Sequence, residues 1–106
     1  MNFELSPAQR EVYEIVGELG RSKFSARANE YDRNATTPIE NLRDMGDQGL
    51  LKLTIAKDRG GMGSGALGED PLLYLIAVEQ TARYCLGTAQ CLHIHCHGAH
   101  YVDNVC

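Results

Sequence analysis

The sequence predicts an all-α fold, a small bundle of about four helices crossing one another, on three observations. Two stretches, Ser6-Pro7-Ala8-Gln9 and Thr37-Pro38-Ile39-Glu40, open alike: a hydroxyl residue precedes a proline and is followed, three positions on, by Gln or Glu. Apolar residues recur at three- and four-residue steps and do not alternate. Turn residues fall between these stretches, with five of the eleven glycines crowded into residues 57–70.

The first helix is predicted over residues 7–30. Ser6 caps it, Pro7 suits a first position whose N–H would go unused, and Gln9 completes a capping box. Ala8, Val12, Ile15, Val16 and Leu19 form an apolar stripe that Ala26 continues. "YDRNATTP" ends it, and a second helix is predicted over 38–47, with Thr37 as cap and Ile39, Leu42 and Met45 as its buried face. Gly49 supplies a left-handed stop, after which "LLKLTIA" reads as an extended, packed segment.

The glycine-rich "KDRGGMGSGALGED" is predicted as a connection. A phosphate loop is excluded, because no Gly-Lys-Ser/Thr follows and no strand leads into it. A third helix starts at Asp70-Pro71 and runs over 71–84. Its "LLYLIAV" is apolar nearly all round, so it needs cover on more than one side, some of it from outside this chain. A fourth helix over 88–104 has Thr88 as cap and Leu92, Ala99 and Val102 among its apolar positions.

A chain of 106 residues suits one domain, and 43% hydrophobic with 23% charged residues is ordinary for a globular protein. The formal net charge is −4 and the ten Lys and Arg are scattered, which argues against nucleic acid or an anionic membrane as partner. No basic-then-apolar leader and no apolar run near the roughly 18–20 residues of a membrane span is present, so a cytoplasmic location is expected. Cys85, Cys91, Cys96 and Cys106 form no Cys-x-x-Cys pair, and in that compartment they are expected to stay reduced.

All four histidines lie in "CLHIHCHGAH", residues 91–100. On a helix His93, His97 and His100 share a face, and His95 points away by about 160–200°. A pair four residues apart can chelate Zn²⁺ or Ni²⁺, with Cys96 as a soft neighbour. Metal sites usually draw ligands from separate segments, however, and there is no second ligand cluster, so no metal ligand is assigned. A histidine-bearing exposed face is the plainest alternative.

The order of these features resembles the N-terminal helical domain of the acyl-CoA dehydrogenase family over essentially the whole chain, residues 1–106. "FELSPAQREVYEIV" resembles its opening helix, "KFSARANEYDRNATTPIENLRDMGDQGLLKLTIAKDRGGMGSG" its second segment with a G-G-x-G loop, and "YLIAVEQTAR" its E-E-L-A helix. "GTAQCLHIHCHG" takes the place of the next helix. Gln80 and Thr81 depart from the family's usual Glu and Leu, and the histidine density is unusual.

The resemblance implies the N-terminal part of an FAD-dependent, homo-oligomeric oxidoreductase of fatty acid metabolism that removes hydrogen across the α,β carbons of an acyl-CoA thioester. The β-domain and C-terminal helical domain of such enzymes are not among these residues, so the chain alone is expected to be inactive and to retain no FAD. The carboxylate base would lie elsewhere, leaving no catalytic residue here. The family's acyl-contacting helix maps onto Gln90, His93, Ile94 and His97 as substrate-binding positions, and imidazoles there imply a short or polar acyl group. His95 matches a histidine used by flavin-dependent monooxygenases of the same fold, the first alternative. A small helical metal-binding or interaction module is the second.

Overall fold

Ser6 and Gln9 close the expected capping box: Ser6 Oγ accepts from the Gln9 N–H at 3.2 Å and Gln9 Oε1 from the Ser6 N–H at 3.0 Å. The computed structural model describes residues 4–65 and 70–105, and every regular element among them is helical. From this cap runs one unbroken rod made of α1 (Pro7–Leu19), a π turn (Gly20–Phe24) and α2 (Ser25–Asn34). Val12, Val16 and Leu19 are buried as the stripe requires.

Continued α-helical spacing would next have turned Ser22 and Lys23 inward. The π turn adds one residue, so Phe24 takes that place and is fully buried, while Ala26, expected on the stripe, is exposed. The rod ends four residues later than predicted, at Asn34, and the left-handed φ of 52° at the next residue, Ala35, lets the Thr36 N–H reach back to the Tyr31 carbonyl at 3.2 Å.

The second helix, α3 (Ile39–Asp47), starts differently from expectation. Pro38, at φ −76° and ψ 62°, makes an inverse γ-turn in which the Ile39 N–H reaches the Thr37 carbonyl at 2.8 Å, and no side chain caps the helix. The buried face is rotated accordingly: Met45 and Asn41 are inside, and Ile39 is 44% exposed. Asn41 tolerates burial because it accepts from Arg27 at 2.8 Å and donates to the Thr88 hydroxyl at 2.9 Å.

Gly49 is left-handed as expected, at φ 78°, but "LLKLTIA" is not extended. Leu50–Lys52 form a 3₁₀ turn, and the three-residue step between buried Leu50 and Leu53 fits that tighter period. The glycine-rich segment then folds back, with the Met62, Gly63 and Ser64 N–H groups on the carbonyls of Lys52, Ile55 and Leu53 at 2.8–3.0 Å.

Helices α4 (Pro71–Ala82) and α5 (Leu86–Val105) complete the expected set of four helical bodies. Gln9 donates to both Asp70 carboxylate oxygens, at 3.0 and 3.2 Å, fixing the start of α1 to that of α4. Further along, the π turn meets the residues that follow α4: a Cβ on Gly20 would stand 2.1 Å from the Tyr84 ring. Thr88 is not a cap: α5 starts two residues earlier, and the buried Thr88 hydroxyl donates to the Cys85 sulfur at 3.1 Å. Leu72 and Leu75 on α4 are 56% and 55% exposed, the uncovered side expected of "LLYLIAV".

Candidate functional site

Thr88, Ala89, Leu92 and Cys96 turn α5 inward, where all four are buried. Burial pushes the Cys96 thiol up to about 11, so it is a protonated packing group rather than a nucleophile. The Thr54 hydroxyl donates to the Cys96 carbonyl at 2.7 Å, tying the segment after α3 to the middle of α5. At its end Asp103 receives the Ala56 N–H at 2.9 Å and the Arg59 guanidinium, whose hydrogen bonds hold its carboxyl below the usual carboxylate range.

The outward side of α5 divides into two stripes, and the four positions assigned to substrate are shared between them. His93 and His97 face α4. The Tyr74 hydroxyl is hydrogen-bonded to His93 Nδ1, and the rings of Tyr74, His93, His97 and Tyr101 follow one another at 6.0, 6.1 and 6.1 Å. Beside this ladder lies a groove of about 310 Å³, with Leu75 and Cys96 on its apolar side.

Ile94 belongs to the other stripe. Together with His95, Gly98, Val102 and Ile55 it borders a wide hollow of about 520 Å³. His95 Nε2 is 2.9 Å from the Leu51 carbonyl; since a carbonyl can only accept, the proton is on Nε2 and Nδ1 is left with its lone pair. Gln90 is exposed and four residues before Ile94, but borders neither hollow.

Among the described residues no three His, Cys, Asp or Glu side chains converge where a metal ion could sit. No Lys or Arg borders either hollow.

The sequence profile of the acyl-CoA dehydrogenase N-terminal domain matches residues 6–104. The chain belongs to the acyl-CoA dehydrogenase family. It is 33% identical over 95 residues to a short-chain-specific acyl-CoA dehydrogenase of Clostridium acetobutylicum, covering 90% of this chain and 24% of that protein. A probable acyl-CoA dehydrogenase of Bacillus subtilis is 30% identical over 88 residues, which is 83% of this chain and 22% of that one. An NADH-dependent acryloyl-CoA reductase of Anaerotignum propionicum is 30% identical over 95 residues, 90% of this chain and 23% of that one. The chain thus spans about a quarter of these relatives. No solved structure matches it significantly.

Sequence reasoning missed Tyr74, Ile55 and Gly98. Tyr74 was detectable as the one hydroxyl in "LLYLIAV", and Gly98 as the next four-residue step after Gln90 and Ile94. Ile55 came to α5 through a fold-back that periodicity does not register.

Proposed function

We propose that this domain is the acyl-facing N-terminal wall of an FAD-dependent acyl-CoA dehydrogenase acting on short acyl thioesters. The observation that carries the reading is the open hollow beside Ile94, which stands 59% exposed next to about 520 Å³ of largely apolar space on the helix that resembles the family's acyl-contacting element. A half-exposed isoleucine flanked by Gly98 and Val102 is what an acyl chain can cover. Support for a short acyl group comes from the relatives: one is described as short-chain specific and another acts on an acryloyl thioester.

Gln90, Ile94, His93 and His97 are all kept as substrate-side positions, with Ile94 at the hollow that meets the acyl chain, Gln90 one turn before it and outside the hollow, and the two histidines on the next stripe. The domain's part in such a reaction is to position the thioester and exclude water; it supplies no base, and acceptance of the hydride is flavin chemistry. Oligomerisation and FAD are proposed with the family reading. No helix among the described residues is long and apolar enough to cross a membrane.

The test is kcat/KM across an acyl-CoA series for the enzyme containing this domain. Ile94→Ala enlarges the hollow and is expected to shift preference toward longer acyl groups by about 10-fold, the usual worth of one or two methylenes in an apolar pocket. His93→Leu is expected to move it less. Unchanged preference in Ile94→Ala, with folding and flavin content intact, would contradict the placement.

A further inference from the structure

Among the described residues, Ile55 is the one side chain bordering the hollow beside Ile94 that does not come from α5. The hollow's second wall is therefore a single residue, and its width depends on how far Ile55 stands from the helix. Three ties register the segment around Ile55 along α5. His95 Nε2 reaches the Leu51 carbonyl at 2.9 Å, the Thr54 hydroxyl the Cys96 carbonyl at 2.7 Å, and the Ala56 N–H the Asp103 carboxylate at 2.9 Å.

The last of these ties adjoins Ile55 and is reinforced. Arg59 donates to both Asp103 oxygens, from Nε to one and from Nη2 to the other at 3.1 Å, so a planar guanidinium and a backbone N–H hold one carboxylate. With both oxygens engaged and its side chain 7% exposed, Asp103 acts on the hollow through what it holds. Main chain fixes Ile55 on its other sides: its N–H donates to the Lys52 carbonyl at 3.2 Å, and its carbonyl accepts from the Gly63 N–H at 2.8 Å. The Gly61 backbone lies so near that a Cβ there would stand 2.0 Å from the Ile55 carbonyl oxygen and 2.5 Å from the Ile55 Cβ. The glycine-rich loop is thus folded directly onto Ile55, and Arg59, at the end of the turn Lys57–Arg59, fastens that loop to α5.

We propose that Ile55 is a specificity-determining residue for acyl length, and that the Asp103–Arg59 pair is the positioning device that sets its distance from Ile94 and Gly98. The proposal rests on the acyl-wall reading of the hollow and adds to it a second wall and the groups that hold that wall in place. Ile55 is half-buried, so an acyl chain lying along Ile94 and Val102 can cover what remains of it.

The experiment is kcat/KM across the acyl-CoA series on the enzyme containing this domain, with folding and flavin content checked in each variant. Ile55→Val takes one methylene from the wall and is expected to shift preference toward longer acyl groups by about 10-fold. Arg59→Ala, at a side chain 51% exposed, removes the guanidinium without altering the hollow's border, and Asp103→Ala releases the Ala56 N–H as well. Both are expected to shift preference in the same direction, by about 3-fold and about 10-fold. In an Ile55→Ala background, where no wall is left to position, Arg59→Ala is expected to change preference no further. A shift with Ile94→Ala but none with Ile55→Val overturns this proposal and leaves the acyl wall standing; no shift with either overturns both. Equal losses at every acyl length in Arg59→Ala and Asp103→Ala, or the same Arg59→Ala shift with and without Ile55, overturns the positioning role.

Discussion

Gly20 and Gly98 show how one residue type holds opposite roles in one chain. A Cβ at Gly20 would enter the Tyr84 ring, whereas at Gly98 it would meet nothing within 4 Å. Both positions are helical, so alanine brings the same backbone preference of about 1 kcal/mol to each. Gly98→Ala is therefore expected to stabilise by about 0.5–1 kcal/mol. Gly20→Ala is expected to destabilise by about 1–3 kcal/mol through overpacking of the contact between the π turn and the Tyr84 ring. Ala35 is the converse case, an L-residue held at φ 52°, and Ala35→Gly is expected to raise stability by about 0.5–1 kcal/mol. Urea denaturation of the three variants reads all of these, and a common sign for Gly20→Ala and Gly98→Ala would contradict the packing assigned to Gly20.

Among the elements, the sequence was legible where a signal acts locally. Ser6 and Gln9 form their box because the partners are three residues apart, and four helical bodies follow from apolar spacing. It was illegible where tertiary demands overrode the local signal. The π turn exists to bring Phe24 inward; the five-residue step from Leu19 to Phe24 was its trace. Thr37 and Thr88 looked like caps, yet a γ-turn starts α3, and the Thr88 hydroxyl is needed in the Asn41–Cys85 network. The site followed the same pattern: residues 90–97 were correctly placed on one helix, but their division into two stripes depends on where α4 and Ile55 pack.

Contacts between elements also set the response to pH. Hydrogen bonding to Arg27 lowers the Asp44 carboxyl, and that to Arg59 lowers Asp103. Each contributes stability that is complete above the ordinary carboxylate value near about 4 and is lost as pH falls through the lowered folded value. On the alkaline side, burial and then Glu40 push Tyr31 up to about 12, so its contribution is lost as pH rises from about 10 toward that value. Thermal unfolding against pH is expected to show Asp44→Asn with a shallower acid loss than the parent. Parallel acid limbs would mean that the Arg27–Asp44 pair contributes nothing.

At the largest scale, Leu72 and Leu75 on α4 and Ile94, Val102 and Val105 on α5 are all more than half exposed, and apolar side chains exposed in this way favour association where they form a patch. The chain by itself is expected to self-associate, and Leu72→Lys with Leu75→Lys to reduce this in sedimentation velocity. A clean monomer at high concentration would contradict that expectation. The same open surface is consistent with a domain that spans about a quarter of its relatives' length.

The acyl-CoA dehydrogenation proposed for the enzyme that contains this domain can be followed on that enzyme in its flavin-loaded form. Acyl-CoA thioesters of graded length are added without oxygen, and reduction of an electron-accepting dye is followed. Thioester-dependent reduction, fastest with short acyl groups, is the expected result; no reduction by any thioester, with oxygen uptake driven instead by supplied reduced flavin, would contradict it.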